Sequence, residues 1–416
     1  MRADNAFTSD NFDSDRSIDS RRAARDRGDH AAAIKLTDES IADLTLRCTN
    51  LEAISVVRRH TGSIISLLQM NPKLCSVTLR SCPKVLRCIA DLCPDISSIT
   101  ITEKASSTDL ELFALNVPTK LKQLCLPDTN VDQNFLSPFF SRAPSLIELR
   151  LGTVYCDWVN LHVTCSNLVV FQCNVPHNNT VRTDFITNLS NVMPNVHTLV
   201  LLKTNDYLED VVATLIENIL VSFPRLRQLC SLREFESKLS IHVTAPLGQA
   251  LASDTYLLEE LYVDHTAHTH LHSTLQTCPF LHTLGLSSTS DNSKIMKYLP
   301  ASVKRFYCSS WHCAHARGYA IFKNLHELEL GNCVQLTDSA LVGIARNCPQ
   351  LVLLHIYYAP RVTLRSVLTV LKLCPQLRSL EYSRDSSHRN KKKDEAVSAV
   401  MELCLMHYPQ LQHISL

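Results

Sequence analysis

The chain has 416 residues, 45% hydrophobic and 19% charged, with a formal net charge of +1. That composition supplies a globular core, and the near-zero charge gives no long-range field favouring nucleic acid or an anionic membrane. No apolar run approaches the ~18 residues of a membrane span, and the polar first residues have no apolar core of a secretory signal.

Residues Met1–Ala33 mix Asp, Arg and Ser with almost no large apolar side chain, which predicts a disordered leader. From Ile34 onward the chain repeats itself. IKLTDESIADLTLRCTNLEAISV places Leu36, Ile41, Leu44 and Leu46 on a helical face. Leu51, Ile54 and Val56 follow at strand positions. The clearest copy is Phe322–Leu354. There Leu325, Leu328 and Leu330 follow the spacing L-x-x-L-x-L, Cys333 marks a turn, and Leu336, Ala340, Leu341 and Ile344 recur at helical spacing. A strand, a tight turn and a helix in about 26 residues is the unit of a leucine-rich repeat.

The strand signature recurs as Leu74/Val77/Leu79, Ile96/Ile99/Ile101, Leu121/Leu124/Leu126 and Leu146/Leu149/Leu151, and continues to Leu411/Ile414/Leu416, with a weaker copy at Leu226/Leu229. About fifteen copies at intervals of roughly 22 to 34 residues predict one α/β solenoid over 34–416. The expected form is a curved horseshoe with parallel strands on the concave face and helices on the convex face. Irregular stretches are expected at 230–256 and 383–395. Thr37 and Thr337 stand where helix N-caps belong, each followed by Asp.

Dipeptides such as Asn71-Pro72, Cys93-Pro94, Cys278-Pro279, Cys348-Pro349 and Cys374-Pro375 form a second register. Proline cannot continue a helix, so each marks a helix-to-strand corner. The cysteines are read as small hydrophobes packing at that corner. The seventeen cysteines recur within repeats rather than as closely spaced pairs, so reduced thiols in the cytoplasm or nucleus are expected.

Catalytic patterns are scarce. With only eight glycines there is no G-x-G-x-x-G and no P-loop, and neither G-x-S-x-G nor H-E-x-x-H occurs. No cofactor is expected. Two histidine-rich clusters, Asp264 with His265, His268, His270 and His272, and Cys308 with His312, Cys313 and His315, lack a recognised paired zinc spacing. They are read as polar connecting chain. The basic run Arg389–Lys393 is read as a solvated loop, with a nuclear signal as its alternative. The sequon at Asn178 has no expected consequence without a secretory signal.

Binding is expected on the strands. In L-x-x-L-x-L the leucines point inward, so the intervening residues line the concave surface, and equivalent positions in successive repeats form rows. The C-terminal rows bring together Glu260, Arg305 and Glu327, then Tyr262, Tyr307, Glu329, His355 and Glu381, with Tyr357 and Asp264 beyond. Aromatic and charged residues on one exposed face suit protein binding. The N-terminal rows, beginning Ser76, Ser98 and Gln123, are blander.

LTDSALVGIARNCPQLVLL resembles the cysteine-containing leucine-rich repeats of the F-box/leucine-rich-repeat family, whose solenoid is ribonuclease-inhibitor-like. The resemblance covers nearly all of Ile34–Leu416 but is close only in Phe322–Leu354 and Ile34–Val56. Cys82 and Cys333 keep the turn cysteine, whereas Thr129, Val154 and Ala359 replace it. The resemblance implies a non-enzymatic substrate-recognition subunit of a cullin-based ubiquitin ligase, acting in ubiquitin-dependent protein catabolism with an adaptor and cullin as partners. The leader has no L-P-x-E-like helical segment, so the F-box is absent, divergent or lost by truncation. The alternative is a regulator of another enzyme, of the ribonuclease-inhibitor or GTPase-activating type. An activator would need an exposed arginine, for which Arg361 and Arg384 are candidates by position.

Overall fold

The computed structural model describes residues 51–56, 61–79, 83–156, 158, 161, 163–175, 183–203, 212–230, 256–264, 275–287, 299–311, 323–383 and 406–415. The leader, Thr37, both irregular stretches except Cys230, Tyr256 and Ser383, the basic run, the sequon, Cys82, Arg384 and the histidines at 265–272 and 312–315 lie outside them.

The strands begin with β1 (Ala53–Val56), β2 (Ser76–Leu79), β3 (Ser98–Ile101) and β4 (Gln123–Leu126). A two-residue strand, β5 (Val131–Asp132), precedes β6 (Glu148–Tyr155), β7 (Val170–Val175), β8 (Thr198–Lys203) and β9 (Gln228–Cys230). Then come β10 (Glu260–Asp264), β11 (Thr283–Ser287), β12 (Arg305–Cys308) and β13 (Glu327–Leu330). The series closes with β14 (Leu353–Ile356), β15 (Ser379–Tyr382) and β16 (His413–Ser415). Every pairing is parallel, and neighbours in sequence are neighbours in the sheet, except that β5 pairs with β6 beside the main path. Each L-x-x-L-x-L signature therefore falls on a strand, the weak Leu226/Leu229 copy included. The chain is a leucine-rich-repeat solenoid.

The returning segments include the helices α1 (Thr61–Met70), α2 (Ile89–Leu92), α3 (Ser107–Leu115) and α4 (Gln133–Arg142). Further on are α5 (Thr183–Val192), α6 (Val212–Ser222), α7 (Asp338–Asn347) and α8 (Leu364–Leu373). The leucines form the layer between strands and helices: Leu74, Val77, Leu79, Leu325, Leu328 and Leu330 are all buried. Truncating one such side chain to alanine would cost about 2–5 kcal/mol through lost burial and the cavity left behind.

The helix starts follow capping chemistry. The Thr337 hydroxyl accepts the Ala340 N–H at 3.3 Å, Ser106 accepts the Asp109 N–H at 3.2 Å, and Asp132 accepts the Phe135 N–H at 3.1 Å. Asp338, in the first turn of α7, also reaches the next repeat, accepting from the Thr363 N–H at 2.6 Å and its hydroxyl at 2.8 Å.

Helix ends are satisfied from the following repeat, which explains the Cys-Pro corners. The last carbonyls of a helix have no intrahelical donor. The Cys374 thiol lies 3.6 Å from both the Ala345 and Cys348 carbonyl oxygens at the end of α7. Cys93 makes the same contacts to Leu68 and Asn71, at 3.8 and 3.7 Å. Cys93, Cys278, Cys348 and Cys374 are fully buried. Burial pushes the Cys93, Cys278 and Cys374 thiols up to about 11, so at neutral pH they are packing groups rather than nucleophiles.

Candidate functional site

The register of the sheet sets the rows on its helix-free side. Glu260, Thr283, Arg305, Glu327, Leu353, Ser379 and His413 are successive partners in one row. Tyr262, Gly285, Tyr307, Glu329, His355, Glu381 and Ser415 are partners in the next. The sequence rows are thus adjacent in space, about 4.8 Å apart from strand to strand.

The rows do not face solvent uniformly. Glu260, Tyr262 and Tyr307 are 2%, 1% and 8% exposed, so the expectation of an open surface at these three positions is corrected. The alternation rule says which side of the sheet a residue occupies and nothing about its neighbours there. Gly285 leaves a gap between the two tyrosines, and the Tyr262 ring lies across it. A β-carbon at Gly285 would stand 2.3 Å from Tyr262 Cδ1. The Tyr262 and Tyr307 rings stack with centroids 6.3 Å apart and planes 18° from parallel. Together with Val200, Leu202 and Cys230 they form a buried apolar cluster separate from the main core. Arg305 reaches Glu260 at 3.6 Å.

From β13 to β16 the surface is polar and accessible. The Tyr307 hydroxyl donates to Glu327 at 2.8 Å, and the Tyr357 hydroxyl donates to Glu381 at 2.7 Å. His355 Nδ1 lies 3.9 Å from Glu329 and 4.0 Å from Glu381, and its Nε2 is 3.0 Å from the Ser379 hydroxyl. His413 approaches the other Glu381 oxygen at 3.1 Å. Partial burial raises the Glu381 carboxyl, but the Tyr357 hydroxyl, His355 and His413 outweigh that and hold it below the usual carboxylate range. Burial and the Glu327 carboxylate push the Tyr307 phenol well above its ordinary value, so it stays a hydrogen-bond donor. Glu327, Glu329, His355, Tyr357 and Glu381, all part-exposed, are the sequence-derived candidates that the sheet gathers on one accessible surface.

Asp264 ends β10. Cys308 is buried in the core, as is Trp311 after it. Among the described residues no group of three His, Cys, Asp or Glu side chains could hold a metal ion. No described helix is long and apolar enough to cross a membrane. Arg361 is exposed on the turn before α8.

Two features escaped the sequence reading. One is the apolar cluster on the middle strands, for which Val200 and Leu202 flanking the expected inward Leu201 were the available signal. The other is a recurring asparagine one residue before the first leucine. Asn167, Asn195 and Asn324 each donate a side-chain N–H to a carbonyl of the preceding repeat, at 2.8, 2.7 and 2.9 Å.

No protein-family model matches the chain, and no curated protein matches it. Among solved structures it is similar to Rad7 in a complex of Rad7 and Elc1 from yeast, at 13% identity and a TM-score of 0.47, covering 86% of this chain and 90% of that one. It is also similar to the leucine-rich-repeat protein LegL7 from Legionella pneumophila, at 12% identity and a TM-score of 0.33 over 78% and 90% of the two chains. An internalin from Listeria monocytogenes matches at 12% identity and a TM-score of 0.33 over 91% and 82%. The fold assignment rests on the strand order and register, not on these likenesses.

Proposed function

We propose that this solenoid is a non-enzymatic protein-interaction scaffold that holds a partner on the concave face of β13–β16. The observation that carries this is the row of Glu329, His355 and Glu381 beside Glu327 and Tyr357. Phenol–carboxylate hydrogen bonds fix the carboxylates before any partner arrives, which lowers the ordering cost of binding. The carboxylates and the part-exposed Tyr357 beside them combine charged and aromatic chemistry, as protein hot spots do.

The finer reading is a substrate-recognition subunit of a cullin-based ubiquitin ligase, working in the cytoplasm or nucleus. Its support is the resemblance of LTDSALVGIARNCPQLVLL to the cysteine-containing repeats of F-box proteins. In that role the bond-making chemistry belongs to other subunits. Affinity purification of the full chain under gentle lysis is expected to recover a cullin and its adaptor. Their absence, with other partners retained, would remove the ligase role and leave the scaffold reading standing.

A further inference from the structure

A second surface lies off the concave face, at the corner where each repeat enters its strand. Lys73, Asp95, Lys120 and Ser145 precede the first leucines of four successive repeats, and Cys75, Ser97 and Lys122 follow the first three. These seven residues line a groove of about 540 Å³, within the roughly 300–1,000 Å³ of small-ligand sites.

The floor of the groove is backbone already committed to the sheet. The Cys75 carbonyl accepts the Ser97 and Ser98 N–H groups at 2.8 and 3.0 Å, and the Ser97 carbonyl accepts those of Lys122 and Gln123 at 2.8 and 2.9 Å. Recognition in the groove therefore falls to the side chains. Lys120 is paired with Asp95. The Lys73 and Lys122 ammonium groups and the Ser145 hydroxyl make no hydrogen bond or ion pair among the described residues. Two uncompensated positive charges and a hydroxyl donor thus share one concavity.

We propose that this groove docks a phosphorylated side chain on an extended segment of a protein partner. A phosphoryl group carries about −1.5 to −2 charge at neutral pH and three acceptor oxygens. That matches a pair of unpaired ammonium groups better than a single carboxylate does. Four repeats at about 4.8 Å span the length of four or five extended residues. A whole-chain charge of only +1 disfavours a nucleic acid strand.

Cys75 gives a direct probe, because it is the exposed free thiol among the described residues. The full chain is alkylated with N-ethylmaleimide, modification at Cys75 is read by mass spectrometry, and binding is followed by fluorescence anisotropy. The probe is an acetylated, amidated Ala-Ala-phosphoserine-Ala-Ala peptide carrying a dye. It is expected to bind, to slow Cys75 alkylation, and to lose about tenfold or more in affinity in the Lys73→Ala/Lys122→Ala variant. The Lys73→Arg/Lys122→Arg variant and the distant Lys323→Ala variant are expected to bind like wild type. All these side chains are exposed, so the fold does not depend on them. The proposal is overturned if the serine peptide protects Cys75 equally, or if inorganic phosphate does so at the same concentration. It is equally overturned if Lys323→Ala costs as much as the double variant, or if a single-stranded oligonucleotide binds more tightly with length. None of these outcomes bears on the concave face, which lies on different residues.

Discussion

Gly285→Ala tests the packing that separates the buried part of the concave face from the accessible part. In a strand, replacing glycine by alanine ordinarily stabilises by about 0.4–1 kcal/mol, because the unfolded chain loses freedom. Here the new methyl would stand 2.3 Å from Tyr262 Cδ1 and 3.0 Å from Cε1. The ring cannot swing aside cheaply: Tyr262 is 1% exposed and stacked on Tyr307. Overpacking of this kind costs about 1–3 kcal/mol, which exceeds the backbone gain and reverses the sign. A long repeat array need not unfold in one step, so the assay is local: hydrogen exchange of the amides in β10–β12. A net loss of about 1–2 kcal/mol means roughly 5- to 30-fold faster exchange there, with little change in β2–β4. Adding Tyr262→Leu, which clears the ring, is expected to recover most of the effect of Gly285→Ala. Slower exchange in Gly285→Ala, or no coupling to Tyr262, would refute the stacked arrangement.

The Cys-Pro cysteines are expected to resist alkylation in the native protein near pH 8 while Cys75 reacts. Cys93, Cys278 and Cys374 titrate near 11 in the fold, above the about 8.5 of an exposed thiol. The stability they contribute is therefore full below about pH 8.5 and lost as pH rises toward 11. Denaturant midpoints at pH 7.5 and 10 should show a smaller decline in Cys374→Ala than in wild type. Asp109 behaves oppositely: burial raises its carboxyl, but hydrogen bonds from Ser106 and Arg87 and the Arg87 charge outweigh that and hold it low. Its contribution is present above about pH 4 and lost on further acidification, so Asp109→Asn should flatten the acid side of the stability profile. Tyr358 has a φ of 54°, and Asn332, its counterpart one repeat earlier, has 44°. Asparagine tolerates this left-handed geometry better than tyrosine, so Tyr358→Asn should stabilise the β14–α8 turn by roughly 1 kcal/mol, read as slower local exchange.

The strand series was legible because L-x-x-L-x-L couples a period of two to a fixed corner, and burial enforces both. Even the weak Leu226/Leu229 copy is a strand, since its leucines fill the same layer as their neighbours'. The concave rows were legible in register but not in exposure. Exposure at Tyr262 depends on Gly285 in the adjacent strand and on Val200 and Leu202 further along, contacts that alternation within one strand does not encode. The cysteines were legible as packing groups. That their thiols reach the carbonyls ending the preceding repeat's helix required the stacked repeats. The lysine groove was illegible for a related reason. Lys73 and Lys122 are 49 residues apart and share one groove only because the stacked repeats leave a single strand, β3, between theirs.

The scaffold reading stands or falls on whether partners engage β13–β16. The most direct measurement is quantitative affinity purification of three forms of the full chain: wild type, Glu329→Lys/Tyr357→Ala on the accessible rows, and Arg346→Ala on the exposed side of α7. Circular dichroism and hydrogen exchange would verify that each is folded. Specific partners are expected to be retained by wild type and Arg346→Ala and lost from Glu329→Lys/Tyr357→Ala. Partners that survive the concave substitutions, or that depart with Arg346→Ala instead, would contradict the scaffold reading.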